Sequence, residues 1–150
     1  MSYPFSEESK NELETCHPDL QRLFNKVAEN YNCTIFQGER GEEAQNYCFK
    51  NGLSKVKYPG SKHNTKPLSE AVDSGPYPIR YPDENIMRDM TAAEKEQIER
   101  LKRWIHFCGY VKGVADTMGI KIRQGIDWNG NNVFTDQKFD DLPHCELKEE

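Results

Sequence analysis

The sequence has no CxxC pair, no long apolar run and no excess of positive charge, and each absence narrows what the chain can be. Its five cysteines, Cys16, Cys33, Cys48, Cys108 and Cys145, are odd in number and scattered. That argues against a disulfide framework and against a structural zinc ribbon, which needs closely spaced thiolate pairs. Reduced thiols in a protein made in a cytosol are the simplest reading. The opening MSYPFSEESKNE has no apolar core and is not a signal peptide. Nothing approaches the roughly 20 apolar residues of a membrane span. Asn32-Cys33-Thr34 matches a glycosylation acceptor, but without a secretory signal it is read as a chance match. The formal net charge is −5, which disfavours a general nucleic-acid binder, since that task needs a basic face. No internal repeat and no domain boundary is visible.

At 150 residues the chain fits a single domain, 1–150, and can bury roughly two thirds of its unfolded surface. The composition is polar, with 35% hydrophobic and 30% charged residues, yet 2 Trp, 7 Tyr and 7 Phe argue against disorder. The first 15 residues are expected to be an irregular arm. HPDLQRLFNKVAENY predicts a helix: Pro18 suits the first helical position, and Leu20, Leu23, Phe24, Val27 and Tyr31 recur at helical spacing. CTIFQG predicts a short strand, and GEEAQNYCFKNG a short helix ending at Gly52. From Tyr58 to Pro82 lie five of the eight prolines, so this segment is expected to be an ordered loop with at most a short strand around EAVD. Thr91 and Glu94 form a capping box before a long helix with an inner stripe of Ile98, Leu101, Ile105, Cys108, Val111, Ala115 and Met118, ended by Gly119. IKIRQGIDW and PHCEL predict strands. The expected class is α+β, a small antiparallel sheet with helices packed to one side.

The chemistry-bearing residues gather at two places. SKHNTKPLSEAVD carries His63 and Asp73, and DDLPHCEL carries Asp141 three residues before His144. Catalytic zinc commonly takes three protein ligands from His, Asp, Glu or Cys and leaves a fourth position for water. Water on such an ion has a pKa near ~7, and a carboxylate that is not a ligand can then act as general base and acid. His63, Asp73 and His144 have the right donor types for the ligands, and Asp141 for the base. The same residues would equally serve as a solvated loop histidine and a hydrogen-bonded core histidine, and spacing alone does not decide between the two. His17 is placed in a helix cap region, and His106 packed or solvated on the long helix.

Five ordered segments together carry a more specific signal. CHPDLQRLFNKV, QGERGEEAQ, SKHNTKPLSEAVDSGPYP, IHFCGYVKGVADTMGIKIRQGIDW and FDDLPHCEL resemble, over nearly the whole chain, the phage endolysins that are L-alanyl-D-glutamate peptidases, within the D-alanyl-D-alanine carboxypeptidase-like zinc peptidases. The resemblance implies that His63, Asp73 and His144 hold one Zn2+ and that Asp141 is the catalytic acid/base. It implies that Arg40 steadies the scissile carbonyl or the developing oxyanion, a task suited to a fixed, permanently charged guanidinium. Ser61 would hydrogen-bond at the site wall, and Gln45 would support from behind it. Asp127, in the family's DW-bearing strand, would face the second coordination layer or the substrate.

The implied function is a zinc endopeptidase cutting the L-alanyl-D-glutamate bond of peptidoglycan stem peptides. It would collect in the host cytoplasm and act on the periplasmic wall after membrane permeabilisation. Its partner would be the stem peptide, with no nucleic acid, no stable membrane insertion and a monomeric state. A D-alanyl-D-alanine carboxypeptidase or dipeptidase, and a non-catalytic wall-peptide binder, are the alternatives on the same scaffold.

The chain departs from the family pattern in three places. Nine residues separate His63 from Asp73, Lys66-Pro67 stands where small residues are commoner, and Cys145 follows the last histidine. Strand alternation turns Cys145 away from His144, which speaks against a fourth ligand and against a thiol hydrolase. Asp127, Asn129 and Asn131 match three positions of a calcium loop, but Asn132 and Lys138 replace its glycine and closing glutamate. A polar turn is expected there.

Overall fold

Pro18 opens the clearest helix, and His17 caps it by accepting the Asp19 amide on its Nδ1 at 3.1 Å. The computed structural model describes residues 2–81 and 91–149. In chain order the elements are α1 (Glu7–Glu14), α2 (Pro18–Ala28), β1 (Cys33–Gln37), α3 (Glu42–Lys50), a 3-10 turn (Lys62–Asn64), β2 (Ala71–Pro76), α4 (Ala92–Met118), β3 (Ile122–Gly125) and β4 (Asp141–Leu147). The fold is α+β, with one antiparallel four-stranded sheet in the order β1-β2-β4-β3.

The proline-rich segment is a loop that holds the 3-10 turn and then β2, as its composition suggests; its last residue, Pro82, lies outside the described residues. No helix among the described residues is long and apolar enough to cross a membrane.

One expectation fails at the N-terminus, where an irregular arm was foreseen and α1 stands instead. Its only large apolar side chain is Leu13, so the helix shows no hydrophobic stripe to read. The signals it does carry are local. The Ser6 hydroxyl accepts the Ser9 amide at 3.2 Å, and Glu7 and Glu8 occupy the first turn, where the helix dipole favours them. Tertiary contact completes it: Ser9 Oγ donates to the Ile35 carbonyl at 2.9 Å and accepts its amide at 3.1 Å, so α1 covers backbone groups of the edge strand β1.

The core lies between the sheet and helices α2 and α4. Leu20, Leu23, Phe24 and Val27 of α2 meet Phe107, Cys108, Val111 and Ala115 of α4 over Ile35, Val72 and Cys145 of the sheet. The buried stripe of α4 is rotated from the expected one at its N-terminal half. Trp104 and Phe107 face inward, and Ile105 is 51% exposed. Both sets satisfy helical spacing up to Cys108, so periodicity could not choose. The sheet chooses: a Cβ on Gly75 of β2 would lie 2.5 Å from the Trp104 ring, so the bare glycine leaves the space that Trp104 fills. Cap and stop fall where expected, with the Thr91 amide donating to the Glu94 carboxylate and Gly119 closing the helix.

Val72 and Cys145, paired across β2 and β4, point into this core. Strand alternation therefore turns Asp73, His144 and Glu146 to the opposite face. There the segment from Gly38 to Asn64 and the loop from Ile126 to Asp140 build a cleft.

Candidate metal centre

The register of the two central strands does the first part of the assembly. β2 and β4 pair so that Asp73 stands directly across from His144. His63 arrives from the 3-10 turn, whose start is set by Ser61: its hydroxyl accepts the His63 amide at 3.2 Å, while Asn64 Oδ1 accepts the Ser61 amide at 3.0 Å. The turn is bound to the chain before α3 by the Arg40 amide, which donates to the His63 carbonyl at 2.9 Å. The result is a buried triad. One ligand atom each from His63, Asp73 and His144 lie within 4.8 Å of one another.

The two imidazoles present opposite nitrogens. His63 Nδ1 is 2.6 Å from the Gly38 carbonyl. A carbonyl only accepts, so Nδ1 carries the proton and Nε2 is left to face Asp73 Oδ1 at 3.1 Å. His144 Nε2 is 2.9 Å from a Glu146 carboxylate oxygen and must donate to it, which leaves Nδ1 to face the same Asp73 oxygen at 3.5 Å. Two imidazole nitrogens and one carboxylate oxygen thus converge, each histidine oriented by a hydrogen bond on its far side. That donor set fits a divalent ion such as zinc.

Charge around the triad is strongly coupled. Burial would push Asp73 up, but its two imidazole neighbours, His63 first and then His144, outweigh it and hold the carboxyl well below its usual range. Burial would pull His144 down, but its bonds to Asp73 and Glu146 lift it to about 9. A cation seated here must therefore displace a proton from His144, and metal uptake weakens as pH falls.

Arg40 is tied into the same cluster. Its guanidinium donates to Asp73 Oδ2 at 3.0 Å, and Gln45 accepts from it at 3.2 Å. Gln45, fully buried, also donates to the Val56 carbonyl at 2.7 Å and to Ser54 Oγ at 2.9 Å. It is the brace that holds the arginine against Asp73. Asp141 opens β4 and lines the cleft of about 490 Å³ together with Arg40, Ser61, His63, Trp128 and His144. Burial first, and then the negative charge of Asp73, raises its carboxyl to about 6.

Asp127 does not join this group. Its two carboxylate oxygens accept the amides of Gly130 at 3.0 Å and Asn132 at 2.9 Å, closing its own turn. It lines a second, more apolar cavity of about 480 Å³ against α4. The indole next to it reaches the site instead: Trp128 packs on the His144 ring at 5.0 Å between centroids. Asn129 and Asn131 both donate to Asp136, so the polar turn satisfies itself. Cys145 is buried in the core on the far face, and burial pushes its thiol up, as an inert structural cysteine requires. His106 bonds the Tyr31 hydroxyl at 2.9 Å and takes no part.

Sequence reading passed over Glu146, Arg123, Trp128 and Gly38. Glu146 had a usable signal, since residues two apart on a strand share a face. Gly38 had none, because its importance comes from α1. A Cβ there would lie 2.2 Å from the Glu12 carbonyl and closer still to the Thr15 hydroxyl. Gly38→Ala is therefore expected to destabilise the fold by about 1–3 kcal/mol, read as a lowered thermal midpoint. It should also weaken metal uptake, because the carbonyl that holds His63 is displaced.

The model of the family described as phage L-alanyl-D-glutamate peptidase matches residues 1–148. The chain belongs to this family. Within the phage L-alanyl-D-glutamate peptidases it is 32% identical over 142 residues to the L-alanyl-D-glutamate peptidase of Escherichia phage T5, covering 91% of this chain and 90% of that protein. Among solved structures it superposes on the L-Ala D-Glu endopeptidase ChiX of Serratia marcescens. The TM-score is 0.67 at 20% identity, over 96% of this chain and 89% of the other. That likeness extends the phage peptidase fold to a bacterial protein.

Proposed function

We propose that the protein is a zinc-dependent peptidoglycan endopeptidase that hydrolyses the L-alanyl-D-glutamate bond of stem peptides. The single observation that carries this reading is the convergence of His63, Asp73 and His144 at the wall of a cleft that Asp141 also lines, in a chain of this family. A zinc ion held by the three would supply Lewis acidity toward a peptide carbonyl and lower the pKa of a bound water to ~7.

The chain's own residues do the rest. Asp141, with its carboxyl raised to about 6, is ionised at neutral pH yet basic enough to take a proton from the attacking water. It then returns that proton to the departing amine. Arg40 carries a permanent charge at the cleft wall beside Asp73, positioned to stabilise negative charge developing on the carbonyl oxygen. Gln45 keeps Arg40 from swinging away, and Ser61 fixes the turn that aims His63. The proposed substrate is the peptidoglycan stem peptide. In this reading the protein is made in the host cytoplasm, reaches the periplasmic wall only after membrane permeabilisation, and works as a monomer.

The deciding experiment is mass spectrometry of purified muropeptides after digestion, with and without a chelator. Release at the L-alanyl-D-glutamate bond, abolished by chelation and restored by zinc, is the expected result. Loss of only a terminal D-alanine would instead establish a carboxypeptidase. Binding without any cleavage would establish a peptide-binding module.

The proposal also sets a pH dependence. A general base works only when deprotonated, so activity rises with pH through the pKa of Asp141. Its value of about 6 applies without the metal, and a nearby cation lowers it. The acidic limb of kcat/KM is therefore expected to have its midpoint at or somewhat below pH 6. A rate independent of pH from 4 to 7 would remove Asp141 from the base role.

A further inference from the structure

His144 is gripped by more than its partners in the triad. On its Nε2 side lies Glu146, 4% exposed, at 2.9 Å. Against its ring lies Trp128 at 5.0 Å between centroids. These two are themselves joined by Arg123. Its Nε donates to Glu146 Oε1 at 2.6 Å, and its guanidinium lies over the Trp128 ring, 5.6 Å from the centroid. Arg123, Glu146, His144 and Trp128 therefore close a ring of contacts. The sheet builds it directly, because Arg123 on β3 pairs across from Glu146 on β4.

We propose that Glu146, held by Arg123, is the positioning residue that fixes the tautomer of His144, with Trp128 packed against the ring, so that Nδ1 is the ligand atom. A neutral imidazole has one N–H and one lone pair. A buried carboxylate can only accept, so it draws the proton to Nε2 and leaves the lone pair on Nδ1, facing Asp73. Without Glu146 the ring can carry its proton on Nδ1 or rotate, and either change removes the third ligand. Arg123 pairs with the buried carboxylate and aims it at His144, since an unpaired charge there would be costly. Trp128 blocks rotation of the ring. His63 solves the same problem differently, with the Gly38 carbonyl, so the two histidines are oriented by independent devices.

This inference rests on the proposed zinc site, and its test separates the two. Metal-free wild type, Glu146→Ala, Glu146→Gln and Arg123→Ala are titrated with zinc against a competing chelator. Imidazole nitrogen and proton resonances are recorded for the zinc-loaded proteins. Wild type is expected to bind one zinc and to show a slowly exchanging Nε2–H on His144. Glu146→Ala should weaken binding by about 10–100-fold and lose that resonance. Glu146→Gln, whose amide oxygen still accepts, should recover most of the affinity and keep the proton on Nε2. Arg123→Ala, at a side chain 46% exposed and so tolerant of change, should weaken binding in the same direction by less. Tight zinc binding in wild type with unchanged affinity and resonances in Glu146→Ala overturns the positioning role alone. Should Glu146→Ala not fold, unchanged affinity and resonances in Arg123→Ala overturn it in the same way. Absence of zinc binding by wild type overturns both the site and this role.

Discussion

Asp141→Ala is expected to keep the bound zinc and lose hydrolysis. The carboxylate lines the cleft but is not one of the three converging ligand residues, so removing it leaves His63, Asp73 and His144 in place. What disappears is the group that takes the water's proton and hands it to the leaving amine. General acid–base catalysis contributes roughly 10²–10⁴-fold, and a fall of that size in kcat, with zinc stoichiometry still one, is the expected outcome. Removal of the buried carboxyl should not harm folding, because its charge is disfavoured where it sits: burial raises it to about 6. In the metal-free protein, stability is therefore lost as pH rises from about 3.8 through about 6, and metal-free Asp141→Ala should show a small gain in thermal midpoint at pH 7. Full activity in this variant would mean that another group moves the proton.

His144→Ala is expected to fail differently, losing metal and activity together. Two remaining ligands do not hold zinc as three do, and the vacated space sits beside Glu146, which remains paired with Arg123 and so is not left as an isolated buried charge. The variant should fold. The clearest readout is thermal. A ligand that binds only the folded state adds about 2.7 kcal/mol at a hundredfold excess over Kd, which for a domain of this length raises the midpoint by roughly 5–10 °C. Wild type should show this rise on adding zinc, and His144→Ala should not. Compared side by side, the two variants separate proton transfer from metal binding: one keeps the zinc-induced rise without turnover, the other loses both. An equal rise in both would dismiss His144 as a ligand.

The sequence by itself determined the helices with a hydrophobic stripe, the strands of the central pair, and the donor types of the site. α2 was legible from Leu20 to Val27, and the ends of α4 from Thr91, Glu94 and Gly119, because capping and periodicity are local. His63, Asp73, Asp141 and His144 stood out because imidazoles and carboxylates at two loci are the chemistry of a metal hydrolase. Cys145 could be set aside because alternation along a strand is also local.

The tertiary structure decided everything that depends on pairing across the chain. α1 escaped notice because it carries no hydrophobic stripe, and the contacts that complete it are made to β1. The inward turn of Trp104 over Ile105 was settled by the bare Gly75 on a strand almost thirty residues away. Asp127 looked like a site residue by position, yet its carboxylate closes a turn, and the adjacent Trp128 takes the place at the histidine. Most of all, which nitrogen of each imidazole faces Asp73 was set by partners no local pattern links to them. The Gly38 carbonyl is fixed by α1, and the Glu146 carboxylate is aimed by an arginine on the neighbouring strand. Donor type is a property of one residue and can be read from a sequence. Donor direction is a property of hydrogen bonds between elements, and only the assembled sheet supplies them.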